Sequence, residues 1–410
     1  MVAQIAVIGA GYAGMAAAVT LAGQGIPVTV FESGPVPGGR ARRITSQGTD
    51  LDNGQHILIG AYTELFRLMR QVGVAPDALL RLPLEIRYAE GFRLRSRPLP
   101  APLGLLAGLM LAKGIPLAER IGAVRFMRAL KKSAFRLAAD TTVKELLQEH
   151  RQDGRIGRLL WGPLCVSALN TPIDQASAKV FLAVLRDTLA GGRAASDLVL
   201  PRVDLSRLFP EPAAAFLQRH GGELRLRSPV ADLAALERFD AVIVAVGPHQ
   251  LKNLLPELSF DYAYQPIYTC YLQYEASVKL PFPMLGLASG LVQWAFDRGA
   301  LLGEHGRLAC VISAQGEHQQ MALDELCERC HRELAQAIPG LGTPLWSRAV
   351  AEKRATIACT PNVRKPQTET PDPRVFLAGD YTDPDYPPTL EAAVRSGVRA
   401  ARSSAAALAR

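Results

Sequence analysis

Three glycines near the start of the chain have the spacing of a phosphate-binding turn. Gly9, Gly11 and Gly14 form a G-x-G-x-x-G pattern. In this pattern the first glycine allows a tight turn, the second lets the backbone approach a pyrophosphate, and the third lets a helix pack closely on a strand. Glu32 follows about 20 residues later, where a carboxylate can accept a hydrogen bond from a ribose 2′-hydroxyl and would repel a 2′-phosphate. The pattern predicts a bound dinucleotide. The further contacts predicted in the first turn of the helix are Tyr12 and Ala13.

Two later segments carry residues that suit the same ligand. The first contains paired glycines, which permit close backbone approach, and an arginine, which can neutralise a pyrophosphate. Its residues are Gly38, Gly39 and Arg40. In the second segment, Gly379 permits close approach and Asp380 can accept hydrogen bonds from a polyol chain. A helix predicted to begin near Thr389 would direct its N–H groups at negative charge on the ligand.

The elements around the glycine pattern predict an α/β fold. Ile5–Ile8 and Val28–Phe31 are short apolar runs typical of buried parallel strands, and a helix predicted over Met15–Gly23 connects them. Strand, glycine turn, helix, strand and acidic residue therefore occur in the order of a βαβ nucleotide-binding unit.

The excess positive charge of the chain is confined to one segment. The 410 residues carry a formal net charge of +8. Residues 81–136 hold twelve basic and three acidic side chains, whereas the rest holds 34 basic and 35 acidic ones. A coat for nucleic acid would be basic over a wider surface, so we expect no nucleic-acid partner and instead a local anionic one.

A basic amphipathic helix is predicted within this segment, over residues 120–137. Arg125, Arg128, Lys132 and Arg136 would lie on one face of it. The helix follows an apolar run at 103–112, which is half the length that a membrane-spanning helix needs. The pattern alone leaves two interpretations open, a solvated charged face over a core or a surface that lies on anionic lipid.

Taken together, these motifs resemble those of the flavin amine oxidase and phytoene desaturase superfamily, in the same order along nearly the whole chain. The motifs that carry the resemblance are Gly9–Glu32, Gly38–Arg40, Val230 before an apolar strand, Leu377–Asp380 and Pro388–Glu391. The resemblance implies non-covalent FAD in a discontinuous Rossmann-like domain, with a second α+β domain for the substrate. It also implies that Val230 contacts the adenine, Asp380 the ribityl-pyrophosphate region, and Thr389 and Leu390 the flavin ring.

The resemblance also implies a division of the chain. The cofactor domain is expected at 1–80, 200–255 and 350–410, and the substrate domain at 81–199 and 256–349, with membrane-facing helices at about 99–137.

Other segments resemble a narrower branch, the bacterial hydroxysqualene dehydroxylases of the hopanoid pathway. They are Asp52–His56, Trp161–Cys165, Asn170–Pro172 and Leu200–Asp204. The resemblance implies that reduced FAD converts hydroxysqualene to squalene and water, with an isoprenoid substrate and an external electron donor. Three alternatives stay open at this point: a carotenoid or phytoene-type desaturase, an amine oxidase, and a flavin-fold scaffold without chemistry.

This reaction requires an acid near the leaving hydroxyl and a site that excludes water. The candidate acids are His56, Asp52, Asp383 and Tyr386. His56 has the most suitable ordinary titration range, although the sequence alone favours a buried structural histidine over a catalytic one. Gly54 and Gln55, which precede it, are assigned to the cofactor.

The cysteines do not predict a metal or haem site. Cys327, Cys330 and His331 spell C-x-x-C-H, but they lie in a predicted amphipathic helix over Met321–Ile338. Cys359 lacks the glycine pair that would suggest a covalent flavin link. Unpaired cysteines suggest a reducing compartment. For an enzyme whose substrate lies in the bilayer, the basic segment then favours a cytoplasmic location on the inner face of the cell membrane.

Overall fold

The computed structural model of the protein describes residues 3–190, 192–258 and 260–409. In chain order its strands are β1 Ile5–Ile8, β2 Val28–Phe31, β3 Arg43–Ser46, β4 Thr49–Asp52, β5 Leu58–Ile59, β6 Leu79–Leu82, β7 Glu85–Arg87, β8 Arg93–Arg95, β9 Leu198–Pro201, β10 Glu223–Arg225, β11 Ala241–Val244, β12 Tyr264–Gln273, β13 Met284–Gly286, β14 Trp294–Asp297, β15 Arg307–Ser313, β16 Trp346–Ile357 and β17 Val375–Leu377.

The α-helices connect and cover these strands. In chain order they are α1 Tyr12–Ala22, α2 Thr63–Gln71, α3 Leu103–Met110, α4 Leu117–Lys132, α5 Val143–Glu149, α6 Gly162–Leu169, α7 Ala178–Ala190, α8 Leu205–Leu208, α9 Pro210–Arg219, α10 Pro248–Leu254, α11 Arg298–Leu302, α12 Leu323–Ala337 and α13 Leu390–Leu408.

The first large sheet is parallel throughout and has the order β10-β2-β1-β11-β17. Its central strands are apolar on both faces because helices cover the sheet on both sides. The predicted Rossmann-like α/β architecture is therefore confirmed. The strands of this sheet come from three separate stretches of the chain, so the domain is discontinuous.

Helix α1 is held in direct backbone contact with its neighbours on two sides. A methyl group at Gly14 would overlap the carbonyl oxygen of Gly9, and one at Gly397 in α13 would overlap the carbonyl oxygen of Ala13. These glycines bring α1 close to the turn after β1 and to α13, and they thereby fix the direction of the helix N-terminus.

The second large sheet is antiparallel, with the order β13-β14-β15-β12-β16. One face packs against α12, where Cys327 and Cys330 are buried in the apolar stripe of the helix. The other face packs toward the central helices, among them α6 and α7. Strand β16 comprises the twelve residues Trp346–Ile357, so it spans the domain boundary that the sequence analysis predicted at residue 350.

The helix predicted over 120–137 is observed as α4, which begins at Leu117 and ends at Lys132. The prediction was wrong at the C-terminal end because Ala134 and Phe135 adopt positive φ angles of 52° and 56°, which a continuing α-helix does not allow. Arg136 therefore lies beyond the helix. No helix in the described ranges is long and apolar enough to cross a membrane.

Candidate cofactor and substrate cavity

A cavity of about 730 Å³ lies where the carboxyl ends of the parallel strands meet the inner face of the antiparallel sheet. Clefts at the carboxyl ends of parallel strands are the usual ligand sites of open α/β sheets, and this volume lies in the range of cofactor pockets. Every residue predicted to contact the cofactor lines the cavity except Gly14. Gly14 is buried behind the turn, so its role is the packing of α1 on Gly9 rather than ligand contact.

The glycine turns bring two backbone segments together at the end of the cavity beside the N-terminus of α1, which we call the cofactor cradle. Gly9 has a φ of +100°, and a side chain there would meet the carbonyl oxygen of Ala245 at 2.7 Å. Gly39 has a φ of +60°, and a Cβ atom there would lie 3.1 Å from the Cα atom of Gly11. The absence of side chains leaves backbone N–H groups facing the cavity beside the N-terminus of α1, which is suited to a pyrophosphate.

The carboxylate of Glu32 is held at the end of β2. It accepts hydrogen bonds from the backbone N–H groups of Ala10, at 2.8 Å, and Gly34, at 2.7 Å. These contacts hold the carboxylate beside the glycine turn, where an acidic side chain meets the ribose hydroxyls in such folds.

Arg40 and Asp380 form an ion pair across the cavity wall. The guanidinium donates to the Asp380 carboxylate at 2.7 Å and to the carbonyl oxygen of Ala355 at 2.6 Å. Beside them, the hydroxyl of Tyr381 is buried and has no hydrogen-bond partner within the described chain. A partnerless hydroxyl, an arginine and a carboxylate in one wall fit a ligand that carries both phosphates and hydroxyl groups.

The other end of the cavity is formed mainly by the antiparallel sheet. Its apolar lining residues are Ile57, Ile267, Trp294, Phe296, Val311 and Val350, and the polar residues Ser313, Glu352 and Thr356 on strands β15 and β16 also line the cavity. Among the described residues, neither a lysine nor a cysteine lines the cavity. Cys359 is buried elsewhere, where burial raises the pKa of its thiol to about 12.

His56 is the candidate acid that the structure places in the cavity. Desolvation by the surrounding protein, together with the positive charge of Arg40, lowers the pKa of His56 to about 4. The imidazole is therefore neutral near pH 7, which differs from the ordinary titration range of histidine considered in the sequence analysis. A neutral ring can donate or accept a hydrogen bond but holds no proton ready for transfer.

Asp52 does not line the cavity, and its carboxylate instead connects the start of α8 to the start of α11. It accepts hydrogen bonds from Arg298, at 3.0 Å, and from the backbone N–H of Leu205, at 2.8 Å. Arg298 is 1% exposed, pairs with Glu304 at 2.6 Å, and also donates to Gln55 at 3.2 Å. Sequence reasoning missed Arg298, since nothing in its local sequence marks a partner 246 residues away.

Asp383 and Tyr386 also lie outside the lining of the cavity. The carboxylate of Asp383 accepts hydrogen bonds from the N–H groups of Asp385 and Tyr386 in its own loop. The hydroxyl of Tyr386 donates to Asp187 in α7. Lys365 donates to the carbonyl oxygens of residues 383 and 386, so this loop is held away from the cavity.

Several polar cavity residues were not predicted from the sequence. They include Asn53, Tyr62, His249 and Glu352. Asn53 lies within the Asp52–His56 segment and donates to Glu352 at 3.2 Å, so that motif was the signal that could have identified it. His249 directly follows the Gly-Pro at the end of β11, but no spacing rule marks it as a site residue.

Comparison with known proteins agrees with this geometry. The family model for flavin containing amine oxidoreductases matches residues 12–403. The chain belongs to this family. It is therefore an FAD-dependent oxidoreductase, and the glycine turns, Glu32, the Arg40–Asp380 pair and the free Tyr381 hydroxyl fit FAD.

Relatives within the family include hydroxysqualene dehydroxylases from Sinorhizobium fredii and Rhodopseudomonas palustris, each 31% identical over 96% of both chains. A probable zeta-carotene desaturase from Synechococcus elongatus is 25% identical over 98% of both chains. Among solved structures, a putative protoporphyrinogen oxidase from Exiguobacterium superposes with a TM-score of 0.71 at 16% identity over the whole of both chains. Cyclohexylamine oxidase from Brevibacterium oxydans gives a TM-score of 0.70 at 17% identity, also over the whole of both chains. These two structures share the fold of this flavoenzyme.

No group of three or more His, Cys, Asp or Glu side chains in the described ranges is arranged to hold a metal ion.

The position of Asp52 generates a prediction about stability. Asp52→Asn keeps the shape of the side chain but leaves Arg298 buried with less compensating charge, so the free energy of unfolding should fall by about 3 kcal/mol. Asp50→Asn, at an exposed position in the same strand, should change it by about 0.5 kcal/mol or less. Denaturant unfolding of both variants checks this. A D52N enzyme as stable as the wild type would contradict the structural role of this carboxylate.

Proposed function

We propose that this flavoenzyme removes the hydroxyl group of hydroxysqualene reductively, giving squalene, a hopanoid precursor. The observation that carries the proposal is the single cavity that joins an FAD cradle to an apolar sheet face. The names of the relatives that match nearly the whole chain support the substrate. An apolar chamber open to the cofactor suits a long hydrocarbon whose reacting carbon must reach the flavin.

The reaction breaks one C–O bond, forms one C–H bond, consumes a proton and releases water. FAD, when bound and reduced, supplies the two electrons and the hydrogen for the new C–H bond. The chain's own contribution is to hold the substrate and exclude water, because an allylic cation that forms on loss of the hydroxyl would otherwise be captured by solvent. The large side chains of Trp294 and Phe296 in the cavity wall are suited to this task.

His56 contributes through its neutral state. Because its pKa lies near 4, it places no positive charge beside a carbon that becomes cationic. Its ring nitrogens can hydrogen-bond the oxygen of the substrate and so orient the C–O bond toward the flavin. We therefore assign His56 to orienting the leaving oxygen rather than to storing the proton.

The alternative functions differ in product. A zeta-carotene-type desaturase would leave an extra double bond in an isoprenoid. Amine oxidation is less well supported, because amine oxidases of this superfamily place a lysine near the flavin and no lysine lines the described cavity. The related amine oxidase structures are below 20% identity and show the fold alone.

Anaerobic incubation of photoreduced holoenzyme with hydroxysqualene tests the proposed reaction. We expect squalene to form in a 1:1 ratio with reoxidised FAD, because each turnover consumes one two-electron equivalent. Gas chromatography of the product and the flavin absorbance measure the two quantities. Unchanged hydroxysqualene beside flavin that stays reduced would refute the proposal. Oxidised enzyme that desaturates a carotenoid precursor would support the desaturase instead.

We also propose that residues 95–132 bind an anionic membrane surface on the cytoplasmic side. Of the eight large apolar side chains that are exposed in the described part of the chain, four lie between residues 99 and 117. They are Leu99, Leu103, Leu111 and Leu117. A concentration of exposed leucines in so short a segment is unusual for a surface that faces only water.

The packing of α3 explains why these leucines face outward. A Cβ atom at Gly104 would lie 2.5 Å from the carbonyl oxygen of Arg97, and one at Gly108 would lie 2.5 Å from that of Arg95. The glycine face of α3 therefore lies directly on the backbone that follows β8, and Leu103 and Leu111 at its ends remain exposed.

Exposed basic side chains occur in the same segment of the chain as these leucines and suit an anionic lipid. The exposed ones between residues 95 and 132 are Arg95, Arg97, Lys113, Arg125, Arg128, Lys131 and Lys132. Each basic residue near a negatively charged membrane contributes about 1 kcal/mol to binding. Leucines that enter the interface and basic groups that meet the headgroups are the two components of a peripheral membrane site. A substrate that resides in the bilayer would enter the enzyme from such a surface.

Charge reversal tests the membrane proposal. Arg125→Glu, Arg128→Glu and Lys132→Glu together should weaken binding to vesicles of phosphatidylglycerol and phosphatidylcholine by about 100-fold or more, with FAD still bound. Vesicle co-sedimentation and flavin absorbance measure the two. The matched control reverses three exposed basic residues elsewhere, Arg219, Lys279 and Arg332, and should bind like the wild type. Equal loss in both triple variants, or in neither, would overturn the assignment.

A further inference from the structure

Three carboxyl side chains line the cavity within the described part of the chain. They belong to Glu32, Asp380 and Glu352. Glu32 accepts hydrogen bonds from the backbone at the glycine turn, where it meets the ribose, and Asp380 is paired with Arg40. Glu352 has neither role. A carboxylate in a cavity that also holds a hydrocarbon therefore needs a separate explanation.

Strand register places Glu352 where the apolar chamber meets the cofactor cradle. In β16 it is paired directly with Ile267 of β12, and such pairs lie on the same face of a sheet with Cβ atoms about 5 Å apart. Ile267 and Val350, two positions before Glu352, are apolar lining residues of the chamber. Toward the cradle, Glu352 accepts a hydrogen bond at 3.2 Å from Asn53, which also donates to the carbonyl oxygen of Arg40 at 2.8 Å. A substrate carbon that reaches the flavin from the chamber comes to this junction.

The Glu352 carboxylate is hydrogen-bonded by neutral groups and forms no ion pair with any described residue. Besides the Asn53 amide, its donor is the backbone N–H of Arg354, at 3.2 Å. An ionised carboxylate only accepts hydrogen bonds, so both contacts suit the anion. The nearby guanidinium groups are engaged elsewhere, since Arg40 pairs with Asp380 and that of Arg354 lies over the ring of Tyr264.

The proposed reaction creates a positive charge inside this cavity. Loss of the hydroxyl leaves an allylic cation, and attraction between a cation and a fixed carboxylate is strong where water is excluded. The two histidines that line the cavity, His56 and His249, do not oppose this charge near pH 7, because burial lowers the pKa of each. Glu352 thus supplies an anion where the positive charge develops.

We propose that Glu352 is a catalytic residue whose carboxylate stabilises the allylic cation formed from the substrate. The inference rests on the proposed function. The leaving oxygen takes up a proton from solvent and departs as water with both electrons of the C–O bond. The cation then acquires the hydrogen and the two electrons that reduced FAD supplies, which forms the C–H bond and leaves FAD oxidised. Glu352 keeps its charge throughout, so it binds the cationic state more strongly than the neutral substrate.

Replacement of Glu352 separates its charge from its shape. Glu352→Gln removes the charge at nearly constant volume, and Glu352→Asp keeps a carboxylate. Glu328→Gln is the control, because it removes an exposed carboxylate from α12, which covers the opposite face of the antiparallel sheet. Thermal unfolding and FAD absorbance establish that each holoenzyme is folded and loaded.

Two measurements then test the proposal. The first compares binding of squalene with binding of an ammonium analogue, in which a protonated nitrogen replaces the reacting carbon, to the oxidised holoenzyme. Perturbation of the flavin spectrum reports both. The second gives kcat and KM for hydroxysqualene with the reduced holoenzyme.

The expected results differ between charge and shape. We expect the wild type to bind the ammonium analogue about tenfold or more tightly than squalene. E352Q should lose this preference and about 100-fold in kcat, with KM, squalene binding and FAD content little changed. E352D should keep most of the preference, and E328Q should behave like the wild type.

The outcomes distinguish this proposal from the proposed reaction. A loaded E352Q enzyme with the wild-type preference and kcat would show that the role of Glu352 is wrong while the reaction stands. Loss of FAD from E352Q, with an unchanged preference in the loaded fraction, would assign Glu352 to the cofactor instead. If E352Q does not fold, a wild type without the preference overturns the proposal, and a preference retained in E352D supports it. If the wild type forms no squalene, the reaction fails and the catalytic role of Glu352 fails with it.

Discussion

Backbone contact around helix α1 is the constraint on which the cofactor site depends. Gly14 lies against the carbonyl oxygen of Gly9, and Gly397 lies against that of Ala13, with no room for a side chain at either glycine. The helix is therefore confined between the turn after β1 and the C-terminal helix α13. Its N-terminus opens into the same cavity as Thr389 and Leu390 at the start of α13. Two distant parts of the chain thus form one cradle, because small residues permit their backbones to touch.

A buried charge network joins this cradle to the antiparallel sheet. Arg298 follows β14, and its guanidinium contacts Asp52 and Gln55 on the segment that also carries His56. The hydroxyl of Tyr271 in β12 donates to the carbonyl oxygen of Asp52 at 2.9 Å. Breaking such a network by removing one charge is costly, because the remaining charge stays buried. The network therefore sets the position of His56 relative to the sheet face that forms the apolar chamber.

The parts of the site that the sequence predicted are those encoded by contiguous motifs. Sequence analysis could predict the turn at Gly9–Gly11, Glu32 and the Gly38–Arg40 segment. In these motifs each glycine stands where the backbone must turn tightly or approach the ligand closely, and this requirement fixes the spacing. The packing role that the pattern predicts for Gly14 agrees with the observed contact, because the glycine lies against the carbonyl oxygen of Gly9. The network at Arg298 and the apolar wall formed by Ile267, Val311 and Val350 could not be predicted, because tertiary packing and strand register bring together residues far apart in the chain. Asp383 was a candidate acid, but its carboxylate accepts hydrogen bonds within its own loop instead of facing the cavity.

The cofactor cradle and the apolar chamber form one continuous cavity. The proposed reaction requires FAD in the cradle and the substrate in the chamber at the same time. A crystal structure of the oxidised holoenzyme with squalene tests this claim most directly. We predict that the flavin ring lies beside Thr389 and Leu390 and that the hydrocarbon packs against Ile267, Val311 and Val350, in contact with the flavin. Squalene bound outside this chamber, or a flavin ring turned away from the antiparallel sheet, would contradict the account.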